Sequence, residues 1–197
     1  MPNQPHRTRA ALVQAALDTL KTEGFSGTTA RAIAGRAGVN QALVFYHFGG
    51  VESLLLAALD ATAAARLERY RTAMAAATDT AERIATARRL YREDVEGGHV
   101  TVISELLAAS LARPQLRAEL LTRMAPWIEL VAAVLDDVAG DSPLSETIPL
   151  ADVASALVAL YLGLNLLSRL DPANAQAESL FDLMERVAPL LDGPSTS

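Results

Sequence analysis

At 197 residues, half of them hydrophobic and few aromatic, the chain is long enough to bury a core of its own, and its lack of cysteine excludes a disulfide framework or a cysteine-based zinc or redox centre. The net charge of −6 is unevenly spread: residues 1–50 carry five basic side chains against two acidic ones, a balance of +3, while the rest carries twelve against twenty-one, or −9. A mildly basic head on an acidic body directs one end toward phosphate and keeps the other off it.

Arg7 and Arg9 precede an apolar stretch, but Gln14 and Asp18 interrupt it and no small-residue cleavage site follows, so the start does not read as an export signal. Alanine and leucine dominate, helical periodicity runs throughout and strand alternation is absent; the expected fold is all-α. A first helix is predicted over 8–22 with Val13, Ala16, Leu17 and Leu20 on one face, ended by Gly24 with Phe25 folding back. Two short helices follow, over 29–36 and 41–46. A long one then runs from Val51 into the 70s, with Leu54, Leu55, Ala58, Leu59 and Thr62 spaced for packing.

Further along, 80–96 is amphipathic through Ile84, Tyr91 and Val95 and is broken by Gly97-Gly98, beside which His99 reads as a solvated turn residue. Helices are predicted over 100–111 and from Pro114 to about 138, the latter kinked at Pro126. Residues 140–149 read as a loop, 150–170 and 174–190 as two last helices separated by Asp171-Pro172, and the tail from Asp192 as disordered. The uncharged run 153–168 falls short of the ~20 residues of a membrane-spanning helix. A buried helix explains it, and the chain is expected to be cytoplasmic with no membrane partner.

The segment TTARAIAGRAGVNQALVFYHFGG, residues 28–50, holds the two short helices. Thr28 is the expected N-cap of the first, with Ile33 and Ala34 facing inward. Gly38 makes the tight turn, Asn40 caps the second helix, and Val44 and Phe48 reach the core. Gln41, Ala42, Leu43, Tyr46 and His47 are left for the outer surface or its margins. Two helices around a short glycine turn make either an ordinary helical hairpin or a helix-turn-helix whose second helix enters the major groove. An uncharged outer face bearing Gln, Tyr and His favours the second.

These residues resemble the DNA-binding head of the tetracycline-repressor (TetR) family. The likeness spans 8–60 and is carried by GF-x-x-TT, IA-x-x-AGV, FYHF and ES-L-L in the family's order and spacing. It implies a three-helix DNA-binding domain over 1–48 and a helical ligand-binding and dimerisation bundle over 49–197. Thr28 and Thr29 then meet phosphate at the start of the first short helix, Gln41, Ala42 and Leu43 face the groove, and Tyr46 and His47 contact bases or phosphates. Arg7, Arg9 and Arg31 are the cationic anchors, and Asn40 completes the DNA-binding set. Three departures stand out: Val51 where the family often has Lys, Phe45 where a Tyr is common, and Gly49-Gly50 in place of a more polar linker. With Ala42 and Leu43 apolar, base reading leans on thymine methyl contact and on Gln41.

The resemblance further implies a homodimer on double-stranded operator DNA, since two recognition helices must reach successive major grooves. The run 153–168 with the last helix is the candidate interface, through Leu157, Leu164, Leu180, Met184 and Val187 in a four-helix bundle; the alternative is the central helix of a monomeric core. Asn165 either fixes dimer register or sits at an edge. A pocket for a small, largely apolar effector is also implied, with Tyr91, Ile103, Leu107, Met124, Trp127 and Tyr161 as candidate lining.

Other chemistry finds no support in the sequence. The three histidines make no metal-binding pair, and no phosphate loop or nucleophile elbow occurs. Glu93, Asp94 and Glu96 read as the solvated end of a helix. Neither enzyme activity nor a cofactor is expected. The rival reading is a helical ligand-binding protein whose DNA-binding head is degenerate.

Overall fold

The computed structural model of the chain describes residues 4–139, 149–171 and 176–191. Among these residues every regular element is helical: α1 (Gln4–Gly27), α2 (Ala30–Ala37), α3 (Ala42–Phe48), α4 (Val51–Ala76), α5 (Thr80–Glu96), α6 (His99–Ser110), α7 (Pro114–Ala139), α8 (Leu150–Leu170) and α9 (Gln176–Leu191). The all-α expectation holds. α7 continues through Pro126 as one element. The expected loop at 140–148, Pro172 with the residues to 175, and the tail from Asp192 lie outside the described residues.

The chain divides into two compact units. One holds the described residues up to Arg66 together with Thr101–Thr122; the other holds Leu67–Val100 and the described residues from Arg123 onward.

The first unit is organised by apolar packing. Leu12, Leu20, Ile33, Val44, Leu54, Leu55 and Ala58 are buried from α1 to α4, and Val102, Leu106, Leu116 and Leu120 of α6 and α7 join the same cluster. The face of α1 is centred on Leu12, Ala15, Ala16 and Leu20, with Val13 only partly buried at its margin. Thr19 is fully buried there and satisfies its hydroxyl on the Ala15 carbonyl at 2.7 Å.

Gly24 breaks the helical path inside α1 (φ 67°, ψ −179°), a left-handed φ that a side chain would resist. The break exposes the backbone N–H of Phe25, which donates to the Glu105 carboxylate at 2.9 Å. The Phe25 ring packs on the core, and the Arg113 guanidinium lies 4.7 Å from its centre while pairing with Glu52 at 3.0 Å. Residues of α6 and α7 thus brace the joint between α1 and α2 and the start of α4.

The second unit is held by polar and aromatic contacts. Asp79 caps α5 by accepting from Glu82 N–H at 2.7 Å. Ile84, Leu90, Tyr91 and Asp94 form the inward face of α5, whereas Val95 is 46% exposed. The sequence reading of this helix therefore needs two corrections: Val95 is not a core residue, and Asp94 is not solvated. The reason is chemical. The hydroxyls of Tyr70 and Tyr161 both donate to the Asp94 carboxylate, and a carboxylate with such partners can be buried. Around it Tyr91 meets Tyr161 edge-to-face at 5.6 Å and Phe181 at 5.6 Å, while Tyr70 meets Trp127 at 5.3 Å. Burial pushes the Tyr91 hydroxyl up from its ordinary value.

On the outer side of α5, Arg88 and Arg92 engage α9. Arg92 reaches Glu178 at 2.6 Å, and Arg88 reaches Glu178, Asp182 and Glu185 at 2.5, 2.8 and 3.1 Å. Hydrogen bonding from Arg92, with Arg88 beside it, holds the Glu178 carboxyl down to about 2. The same contacts, Glu178 first, raise the pKa of Arg88.

α8 departs from the sequence expectation of a buried helix. Leu150–Ser168 has a mean hydropathy of 1.8 and is long and apolar enough, by length and composition, to cross a membrane, yet only 11% of it is buried within the chain. Leu160, Leu166 and Leu167 are exposed. Asn165, by contrast, is buried and donates to the Tyr161 carbonyl at 2.6 Å, so it is not an edge residue.

Candidate nucleic-acid interface

The two short helices are built as a helix-turn-helix requires. Thr29 caps α2, its hydroxyl accepting from Ala32 N–H at 3.1 Å. This corrects the assignment to Thr28, which is buried and donates to the Gly24 carbonyl at 2.6 Å. Thr28 fastens α2 to the break in α1, which leaves Thr29, exposed, as the threonine open to a phosphate. Ile33 and Ala34 are buried as expected. Gly38 ends α2 in the left-handed region (φ 68°, ψ 32°), and its N–H closes onto the Ala34 and Gly35 carbonyls.

Asn40 caps the second helix through its side-chain oxygen, which accepts from Ala42 N–H at 2.8 Å. In α3 only Val44 is fully buried, with Phe48 half-buried against the core. Gln41, Ala42, Phe45 and Tyr46 are exposed, Tyr46 to 80%. Leu43 is half-buried, packed against the core cluster at the margin of the open face. Phe45, which the sequence reading left off that face, stands on it. Its position one turn beyond Gln41 was the available signal. His47 is half-buried, its ring 4.9 Å from Tyr46 and 6.3 Å from Phe48.

The candidate cations belong to the same unit. Arg7, Arg9 and Arg31 are exposed, and the Arg9 guanidinium lies 5.0 Å from the centre of the Phe48 ring, tying the N-terminal stretch to the end of α3. Arg36 is engaged with Glu23 at 3.1 Å and Thr22 at 3.0 Å. The arrangement offers an uncharged, partly aromatic face for a groove, with the Arg9 guanidinium at the end of the helix.

The candidate effector residues divide between the two units. Ile103 and Leu107 pack against the core of the first unit, whereas Tyr91, Met124, Trp127 and Tyr161 belong to the second, half-buried apart from buried Tyr91. Among the candidate interface residues Leu157, Leu164, Leu180 and Met184 are half-buried within the chain and Val187 is exposed. Exposed Leu160, Leu166, Leu167 and Leu183 lie on the same two helices and escaped the sequence reading.

A chain helical in its described regular elements, whose first unit carries a capped helix-turn-helix with an open second helix, has the architecture of a DNA-binding regulatory protein. The model of the tetR family of bacterial regulatory proteins matches residues 12–58. An HTH-type transcriptional repressor of Mycobacterium tuberculosis is 43% identical over 60 residues, which is 30% of this chain and 32% of that relative. The chain therefore aligns with about a third of the length of the curated relatives it matches. Among solved structures, the fatty acid degradation regulator FadR of Bacillus halodurans is similar with a TM-score of 0.77 at 15% identity, covering 95% of this chain and 96% of that one. The regulator FadR of Bacillus subtilis in complex with stearoyl-CoA is similar at 0.76 and 14% identity, covering 91% and 96%. These two likenesses establish the fold over nearly the whole length. Residues 12–58 thus carry the DNA-binding domain of the tetR family, and the likeness in fold extends over the rest of the chain.

Proposed function

We propose that the chain is a transcriptional regulator, a repressor in its resting state, that binds palindromic operator DNA as a homodimer in the cytoplasm and is released by a small, largely apolar ligand. In this reading residues 1–48 read DNA, and 49–197 bind ligand and dimerise. The observation that carries it is the open face of α3, where Gln41, Ala42 and Tyr46 are exposed and the Arg9 guanidinium lies against Phe48; exposed Arg7 and Arg31 add positive charge to the same unit. Thr29 and the cap at Asn40 complete the contact set, with His47 at its margin.

The dimer is supported by α8 and α9, which leave Leu160, Leu166, Leu167, Leu183 and Val187 exposed, side chains that a symmetric association would cover. The effector region is supported by the aromatic cluster of Tyr91, Trp127 and Tyr161, with Asp94 among them as one polar anchor. That a FadR relative in fold binds stearoyl-CoA is consistent with an apolar ligand. Release works as a population shift: the ligand must bind the DNA-incompetent conformation more tightly.

Fluorescence anisotropy with duplex DNA from upstream of the protein's own gene tests this. Binding should concentrate on one palindromic segment, weaken steeply with salt, and fall roughly tenfold in Tyr46→Ala. Weak binding that is equal on all duplexes and indifferent to the substitution would favour the degenerate head, for which Val51 in place of a lysine is the motive.

A further inference from the structure

The open face of α3 has an unusual chemistry. Leu43 packs half-buried against the core, and Phe45 stands with 56% of its surface exposed. A phenyl ring kept only for packing would turn inward, as Phe48 on the same helix does. At 3.6 residues per turn, Gln41, Phe45, Ala42 and Tyr46 follow one another across an arc of roughly 140°. No charged group lies on that arc, and its only hydrogen-bonding side chains are the Gln41 amide and the Tyr46 hydroxyl.

A phenyl ring and a methyl group can neither donate to a base edge nor accept from one. The one apolar feature that a base pair presents in the major groove is the 5-methyl group of thymine. Resting on the reading of the chain as a DNA-binding regulator, we propose that Phe45, with Ala42 beside it, is a specificity-determining residue that selects half-sites by packing against a thymine 5-methyl group. Gln41 and Tyr46, at the two ends of the arc, fix the register. Half-sites are then distinguished at this position by a methyl group and not by a hydrogen bond.

Deoxyuridine provides the test, because it differs from thymidine only by that methyl. Duplexes enriched from a random-sequence pool by the full chain are remade with deoxyuridine at each half-site thymine in turn. At one thymine per half-site the wild type should lose about fourfold in affinity, the value of one buried methyl. Phe45→Ala should bind the thymine duplex more weakly and bind both duplexes alike at that position, while Phe45→Tyr, which keeps the ring, should retain the preference. The wild-type comparison needs no variant, so a folding defect cannot obscure it. Wild-type binding that ignores every thymine-to-uridine change overturns the assignment while leaving specific, salt-dependent DNA binding intact. A Phe45→Ala protein that keeps the full preference overturns it equally. If no duplex is enriched at all, the DNA-binding reading itself fails and the assignment goes with it.

Discussion

The two units of this chain are stabilised by different physics. In the first, side chains from α1 to α4 with parts of α6 and α7 share one apolar cluster in which many leucines have no exposed surface. In the second, the recurring contacts are a buried carboxylate under two tyrosines, a run of edge-to-face rings and a knot of guanidinium–carboxylate pairs, while leucines of α8 and α9 face outward. Packing that dense tolerates little rearrangement, which suits a surface that must present fixed groups to a groove. Hydrogen bonds and ion pairs can exchange partners at modest cost, which suits a region proposed to change state on binding a ligand.

The largest effect should come from the packed unit. Leu54 is fully buried, and Leu54→Ala should lower stability by about 3 kcal/mol through lost burial and the cavity left behind. Trp127, the only tryptophan, lies in the other unit and reports its unfolding separately, while far-ultraviolet circular dichroism reports all the helices. A shift in the dichroism transition larger than that in Trp127 fluorescence is expected. Coincident shifts in both probes would show that the units unfold as one and that the contrast has no thermodynamic meaning.

Asp94→Ala should act on the opposite side. Removing the carboxylate takes one acceptor from each of the half-buried Tyr70 and Tyr161 hydroxyls, leaving Tyr70 the Leu90 carbonyl at 3.2 Å, at a cost of about 2 kcal/mol. Here the Trp127 transition in urea should move to lower denaturant by more than the dichroism transition, which reports the helices of both units. An unchanged Trp127 midpoint would mean that the tyrosines find water or other acceptors and that the buried carboxylate is incidental to stability.

Much of the first unit was legible in the sequence because its signals are local. Gly38 needs a left-handed φ, Ile33 and Ala34 fall on one face, and Leu54, Leu55 and Ala58 repeat at helical spacing. Errors arose where a neighbouring element decided the outcome. Thr28 and Thr29 are equally good caps as letters, and the carbonyl freed at Gly24 is what claims Thr28. Leu43 and Phe45 are both apolar and two residues apart, so only the direction of the core tells which is open. In the second unit the decisive contacts link residues far apart in sequence: Asp94 with Tyr161, and Arg88 with Glu185. Such pairings leave no periodicity, and an acidic residue between Glu93 and Val95 gives no local sign that it will be buried.

The smallest effect is the most diagnostic of how α9 is held. Glu178 accepts from both Arg92 and Arg88, and its folded pKa of about 2 lies below the ordinary 4.5. A depressed carboxylate contributes stability that is present above the unfolded value and lost as the pH falls through the folded one. The contribution should therefore be complete above about pH 5 and disappear toward pH 2. It should be modest, because the site is a third exposed and screened by solvent and salt. Glu178→Gln keeps the shape and removes the titration, while Asp182 and Glu185 still pair with Arg88. The Trp127 urea midpoint of the variant should lie below that of wild type at neutral pH and the two should converge on acidification, with 1 M NaCl narrowing the gap at every pH. Curves that stay parallel down to pH 2 would show that α9 is held by its apolar face alone, and the second unit would then be stabilised in the same way as the first.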